Sequence, residues 1–296
     1  MRFSVSSLLT LAVAATAVVA QPSKRFRQLN PDKASIQEVK WEELTPVSTE
    51  TVTNAKRFAQ GLPPLIPKRR NRGTHGSAIH AKKGTRVASA PRAETSSVPP
   101  TTSKCNILVK DSSTGQELGY VSKEWNSFAE YGPLQSSQIN ALEVSFTSSA
   151  GAASQLDLVT TNGKSAAHPF LGAAVGYGSD SEDIGPDSTN YLFLVGTTQT
   201  PTGSLPSTEA NNSFSEVSGA EAASESGIWS YDSASRVFTA WWINSDGSSV
   251  KADILWSSQE GNQLFTLTGD SDMFRSTFGV DAPEVTLTCV PPVTVA

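Results

Sequence analysis

From Cys105 onward the chain is written in short apolar runs separated by Gly, Asn, Asp and Ser. Strands are predicted near CNILVK, LGYVSK, ALEVSFT, QLDLVTT, NYLFLVGTT, GIWSYD, RVFTAWWIN, VKADILWS, NQLFTLTG and EVTLTCV. ALEVSF alternates cleanly, so Leu142, Val144 and Phe146 share one face. DSSTG (111–115), NSDG (244–247) and EGN (260–262) carry the Gly that hairpin turns use for positive φ. Many short strands at roughly 8–12-residue spacing predict an all-β domain, an antiparallel sandwich of the jelly-roll kind. The stretch 196–226 has little apolar pattern and is expected to be a long surface loop. It holds Asn211-Asn212-Ser213, a glycosylation acceptor that makes Asn211 a candidate modification site.

Before Cys105 the pattern is different. Leu8 to Val19 is a compact apolar run behind Arg2, ending in the small residues Val18-Val19-Ala20. Residues 1–20 therefore read as a secretory signal peptide. Residues 21–104 lack apolar periodicity, are rich in Pro and Ser, and are expected to be a disordered pro-region or linker. Within them, residues 33–44 have the content for a transient helix. The globular domain is expected over 105–296, with no segment apolar enough to span a membrane.

Charge sharpens this division. Residues 21–104 hold 16 Lys+Arg against 6 Asp+Glu, a net of +10, whereas 105–296 hold 6 against 22, a net of −16. An acidic domain argues against nucleic acid as a partner. The two cysteines, Cys105 and Cys289, open the first predicted strand and close the last; in an oxidising compartment they are expected to form one disulfide. Basic pairs at Lys24-Arg25, Lys56-Arg57, Lys68-Arg69-Arg70 and Lys82-Lys83 all lie in the first region. An extended, accessible basic pair is what a Golgi subtilisin-like processing protease of the kexin or furin type cuts, so Arg25, Arg57 and Arg70 are candidate processing sites. Two of them fence the Pro-rich peptide FAQGLPPLIP.

The run RFAQGLPPLIPKRR resembles the N-terminal part of a large group of secreted proteins of unknown function from mushroom-forming fungi. The stretches ELGYVSKEWNSFAEYG, NYLFLVGTT, GIWSYD, WWINSDGS and LTGD resemble its globular part. The resemblance implies a secreted protein and supplies no activity and no catalytic residues.

Candidate chemistry is thin. Only His168 of the three histidines lies in the domain, which argues against a His-ligated metal. Ser165 lies near His168 without a G-x-S-x-G elbow, and GKS at 163–165 lacks the rest of a phosphate loop. Asp180, Glu182, Asp183 and Asp187 form an acidic loop, a weak calcium candidate that reads first as a solvated loop; no cofactor is implied. Asp270 and Asp272 read as a turn. Trp241 and Trp242 must point to opposite faces of a strand. With Trp125 and Tyr131 they are candidates for an aromatic platform that would take cell-wall or extracellular polysaccharide. The segment 124–132, EWNSFAEYG, mixes aromatic and acidic residues. The leading expectation is a secreted, processed, non-catalytic binding protein. The alternatives are a glycan hydrolase with paired carboxylates, and a precursor of FAQGLPPLIP.

Overall fold

The computed structural model describes residues 26–49, 101–148, 153–258 and 262–293. The fenced peptide and the basic pairs around it, with Arg25, Arg57 and Arg70, lie outside them.

Among the described residues fourteen strands run in chain order: β1 (Thr101–Asp111), β2 (Glu117–Val121), β3 (Leu134–Gln135), β4 (Glu143–Ser148), β5 (Ala153–Leu156), β6 (Val159–Thr160), β7 (Phe170–Val175), β8 (Tyr191–Thr197), β9 (Ser224–Glu225), β10 (Trp229–Asp232), β11 (Val237–Ile243), β12 (Ser249–Ser257), β13 (Leu264–Thr268) and β14 (Val285–Val290). All pair antiparallel in one continuous sheet. That sheet closes on itself in the order β1-β4-β6-β7-β8-β13-β12-β11-β14 and back to β1. The all-antiparallel domain expected from the sequence is present. Its strands close into a barrel instead of dividing into the two separate sheets of a sandwich, and β2, β3, β5, β9 and β10 are added outside the ring. The last link, β11 to β14, rests on only Val237↔Thr288 and Phe238↔Leu287.

Alternation fills the barrel. Cys105, Ile107 and Val109 of β1, Phe238, Ala240 and Trp242 of β11, and Val285, Leu287 and Cys289 of β14 all enter one buried cluster. Cys105 and Cys289 are joined, with Cα atoms 5.4 Å apart, so the disulfide ties the first strand to the last. The Asp111 turn forms as expected: Asp111 Oδ1 accepts from the amides of Ser113 and Thr114, and Gly115 takes φ +72°. The Ser113 hydroxyl, which also donates to Oδ1, together with the Thr114 amide and hydroxyl, holds the exposed Asp111 carboxyl down at about 2.

The outer face of β8 is also buried. Tyr191, Phe193 and Val195 point outward into a second cluster. Two helices cover it, and the sequence reading missed both. α1 (Ser213–Ser218) lies inside the stretch expected to be a surface loop; Asn212 caps it by accepting from the Ser215 amide at 2.9 Å, and its Phe214 is fully buried against Phe193. α2 (Ser271–Phe278) starts where a simple turn was expected; Asp270 accepts from the Met273 amide, and Gly279 ends the helix in the left-handed region. Its Phe274 and Phe278 pack on Tyr191.

A third cover comes from the region expected to be disordered. Residues 26–49 run along the outside of the barrel as an irregular strap with two 3-10 turns, Lys33–Ser35 and Trp41–Glu43. Leu29 and Ile36 pack onto the second cluster. The expected helix over 33–44 is replaced by these turns, because the segment gains more from spreading its few apolar side chains over the barrel than from local helix.

Candidate functional site

The site lies where this strap crosses the segment 124–132. Asn126 organises that segment. Its Oδ1 accepts from the amides of Phe128 (2.9 Å) and Glu130 (3.1 Å), and its Nδ2 donates to the Gln263 carbonyl (3.0 Å) and to Glu130 Oε2 (2.7 Å). Ala129 takes φ 57° to make the bend. The chain then inserts between β8 and β13: Tyr131 donates its amide to the Leu194 carbonyl and its carbonyl accepts from the Phe265 amide. Alternation sends Tyr131 into the barrel and Glu130 to the outer face, under the strap.

Glu130 is completely buried. Asn30 of the strap donates to its Oε2 at 3.3 Å, while its Oε1 has no partner among the described residues. Burial pushes its carboxyl up to about 8, so it carries a proton at neutral pH, with the amides of Asn126 and Asn30 acting in the opposite direction. Asn30 Oδ1 is likewise buried and unpaired. The hydrogen-bonding neighbours of Glu130 are amides, so it is an acid without an adjacent base.

Further along, Trp41 of the strap stands edge-to-face on Trp125 (4.8 Å between centroids) and on His168 (5.9 Å), and Trp125 stands likewise on Tyr131 (5.8 Å). His168 is buried, and burial pushes it below its usual value, with Glu216 acting the other way. Its Nε2 is 3.9 Å from Glu216 Oε1, beyond hydrogen-bond reach, and its Nδ1 is 3.5 Å from Ser165 Oγ. Ser165 Oγ already accepts from the Ala167 amide. Ser165, His168 and Glu216 thus come together in space, but too loosely for proton transfer from the serine as they stand. His168 Nε2 is buried without a partner among the described residues, and the Trp125 indole N–H faces the Tyr131 hydroxyl. Two cavities lie along the strap. One of about 610 Å³ lies between Phe26–Lys33 and Phe128, Leu264, Phe278 and Val280; one of about 190 Å³ lies between Ile36–Trp41 and Glu124–Ser127.

The four platform candidates are not brought together. Tyr131 and Trp242 are core residues, 0% and 1% exposed. Trp241 lies on the other face of β11, donating to Ser230 Oγ. Trp125 is half-buried beneath Trp41. The acidic loop is engaged with the protein itself. Asp180 pairs with Arg27 of the strap, Asp183 accepts from the amide and hydroxyl of Ser245, and Asp187 donates its amide to Asp270. Glu182 is exposed. No group of three or more His, Cys, Asp or Glu positioned for a metal occurs among the described residues. Asn211 is exposed at the foot of α1, hydrogen-bonded to Glu216. A second buried carboxyl, Glu225 on β9, accepts from the Ile243 amide and is also pushed up to about 8 by burial. No helix among the described residues is long and apolar enough to cross a membrane.

No family model matches the chain, and no curated protein or solved structure matches it.

Proposed function

We propose that this chain is a secreted, extracellular, non-catalytic binding protein made as a precursor. Its working surface is the one built on residues 124–132, and residues 26–49 cover that surface until a furin-type protease cuts at Arg57 or Arg70. The observation that supports this reading is the placement of the strap. Its Trp41 stands on Trp125 and its Asn30 on Glu130, in a region where unpaired buried polar atoms lie beside two cavities. The disulfide lies wholly within the domain, so a cut after Arg57 leaves no covalent tie to the strap. The intact mass and N-terminal residue of protein from a secreting fungal host test the reading. A start near Phe58, Asn71 or later is expected. A start at Gln21, with all basic residues retained, would end it.

Glu130 favours a second reading, an extracellular glycan hydrolase in which this protonated carboxyl is the acid. Such an enzyme needs a second carboxyl at roughly 5–10 Å. Glycan cleavage by the processed protein that vanishes in Glu130→Gln is the result this reading requires.

A further inference from the structure

We infer that the outer face of the barrel is a groove for an extended polypeptide, and that residues 26–49 are its resident, separable ligand rather than a fixed part of the domain. The inference deepens the reading of a covered binding surface by naming what that surface recognises.

The mode of attachment is that of a peptide in a groove. The strap forms no strand ladder with the barrel. Its main chain is held at separated points: the Arg27 amide on the Thr277 carbonyl, the Leu29 carbonyl under the Tyr191 hydroxyl, the Gln37 amide on the Val217 carbonyl, and the Val47 amide on the Ala166 carbonyl. Between these points three side chains act as anchors, Leu29 and Ile36 in the apolar cluster and Trp41 on Trp125. Backbone bonds that supply affinity and side-chain pockets that supply selection are the physics of peptide recognition. The seat is also shaped for this chain: a Cβ on Gly178 would come 2.6 Å from the Gln28 carbonyl oxygen.

The seam differs from a permanent core. Of six buried side-chain polar atoms without a close partner among the described residues, three lie along it: Asn30 Oδ1, Glu130 Oε1 and His168 Nε2. Native interiors pair nearly all such groups. Unpaired polar atoms along a seam that also holds two cavities, the larger lined by Asn30, mark a surface that also meets water or another occupant. The ligand class is therefore a polypeptide with an apolar residue, an amide next to it, a second apolar residue seven positions after the first, and a tryptophan five further on.

The test uses the full chain with a specific protease site inserted between residues 50 and 100, so that it does not depend on natural processing. After cutting, a fluorescent synthetic peptide of residues 26–49 is added and its anisotropy followed. Saturable one-to-one uptake with displacement of the native piece is expected. The peptide carrying Trp41→Ala should bind about tenfold more weakly, and a scrambled peptide should not bind. A native piece that never exchanges, or a vacated and still cooperatively folded barrel that ignores the peptide, would overturn the inference. Uncut protein that runs as a dimer and separates on cutting would assign the groove to the segment of a second copy and overturn the intramolecular assignment. A natural start at Gln21 would sink the processing reading and leave this one standing.

Discussion

The two faces of β8 are both buried, but by different means. Inward, Leu192 and Leu194 meet side chains from strands throughout the barrel, inside a ring held by backbone ladders and one disulfide. Outward, Tyr191, Phe193 and Val195 meet two short capped helices and a strap without strand pairing. The inner face is apolar except for the Tyr131 hydroxyl. The strapped part of the outer face keeps unpaired polar atoms and two cavities. Burial alone therefore does not distinguish structural from exchangeable contact; the gathering of unpaired polar atoms beside the strap, against the single Tyr131 hydroxyl inside the barrel, is what separates the two faces.

The strongest way to break the inner face is to remove its closure. Cys105→Ser with Cys289→Ser opens a 184-residue separation, which in the chain-entropy account is worth roughly 5 kcal/mol. The double variant should lose that much in urea unfolding, as a single cooperative transition. Trp242→Ala comes next, at about 3–5 kcal/mol, because the ring is fully buried and its Nε1 holds the Glu182 carbonyl of the loop above. In both variants every region of the barrel should lose amide-exchange protection together.

The outer face should respond to pH where the inner face does not. Burial raises the Glu130 carboxyl from 4.5 to about 8, and the strap is one of the elements that cover it. A raised carboxyl favours the closed form fully at low pH, and that advantage is lost as pH climbs from about 4.5 towards 8. The strap should weaken by up to about tenfold per pH unit across that window. His168 acts in the opposite direction: lowered by burial, it disfavours closure as pH falls below its ordinary range. Tyr191 also faces Glu130, but it is neutral throughout this range, its hydroxyl raised by burial. Peptide affinity measured from pH 4 to 9 should thus peak on the acid side of neutrality. Glu130→Gln should flatten the alkaline limb alone. An unchanged alkaline limb in that variant would show that Glu130 does not sense the strap. Glu225, also raised, sits on β9 away from the strap contacts and should affect only global unfolding.

How much of this was legible follows the same division. Strands whose two faces differ, such as Glu143–Ser148 and Val237–Ile243, announce themselves by alternation, and the Asp111 and Asn244 turns by their Gly. β7 is missing from the predicted strands, because FLGAAV is apolar throughout and its small residues carry no period. The closure into a barrel is not local at all: it depends on two residue pairs between β11 and β14. α1 and α2 were lost because each is under three turns, but Asn212 and Asp270 as caps with Gly219 and Gly279 seven and nine residues later were readable signals. The segment 124–132 stands out for its mixture of rings and acids, and the strap crosses it. That Tyr131 faces the core and Glu130 the strap depends on an insertion between β8 and β13 that no local pattern encodes. The strap was read as disordered from its average composition, which dilutes the three anchors Leu29, Ile36 and Trp41 among charged residues; Asn30-Pro31-Asp32, with Asp32 capping the first turn, was the available local sign.

Trp41→Ala separates the two faces with a single residue. The ring is half-buried, so its loss should weaken closure by about 1–2 kcal/mol, close to tenfold. Exchange protection should fall at the Gln37 and Val47 amides while β8 and β13 keep theirs. Loss of protection at all these positions together would place the strap inside the cooperative unit of the barrel.

The smallest expected effect is at the ion pair that looks strongest. Arg27 donates twice to the carboxylate of Asp180, at 2.9 and 2.6 Å, and lies 6.0 Å from the centre of the Phe278 ring. These bonds raise the arginine and lower the aspartate. Yet the two side chains are 40% and 70% exposed, and water screens most of what the geometry offers. Arg27→Ala should therefore weaken closure by well under about 1 kcal/mol, and the difference should shrink further in molar salt. A peptide carrying Arg27→Ala that fails to bind, where the one carrying Trp41→Ala still does, would invert the picture. Closure would then rest on charge between a basic region and an acidic domain, and the apolar anchors would merely follow it.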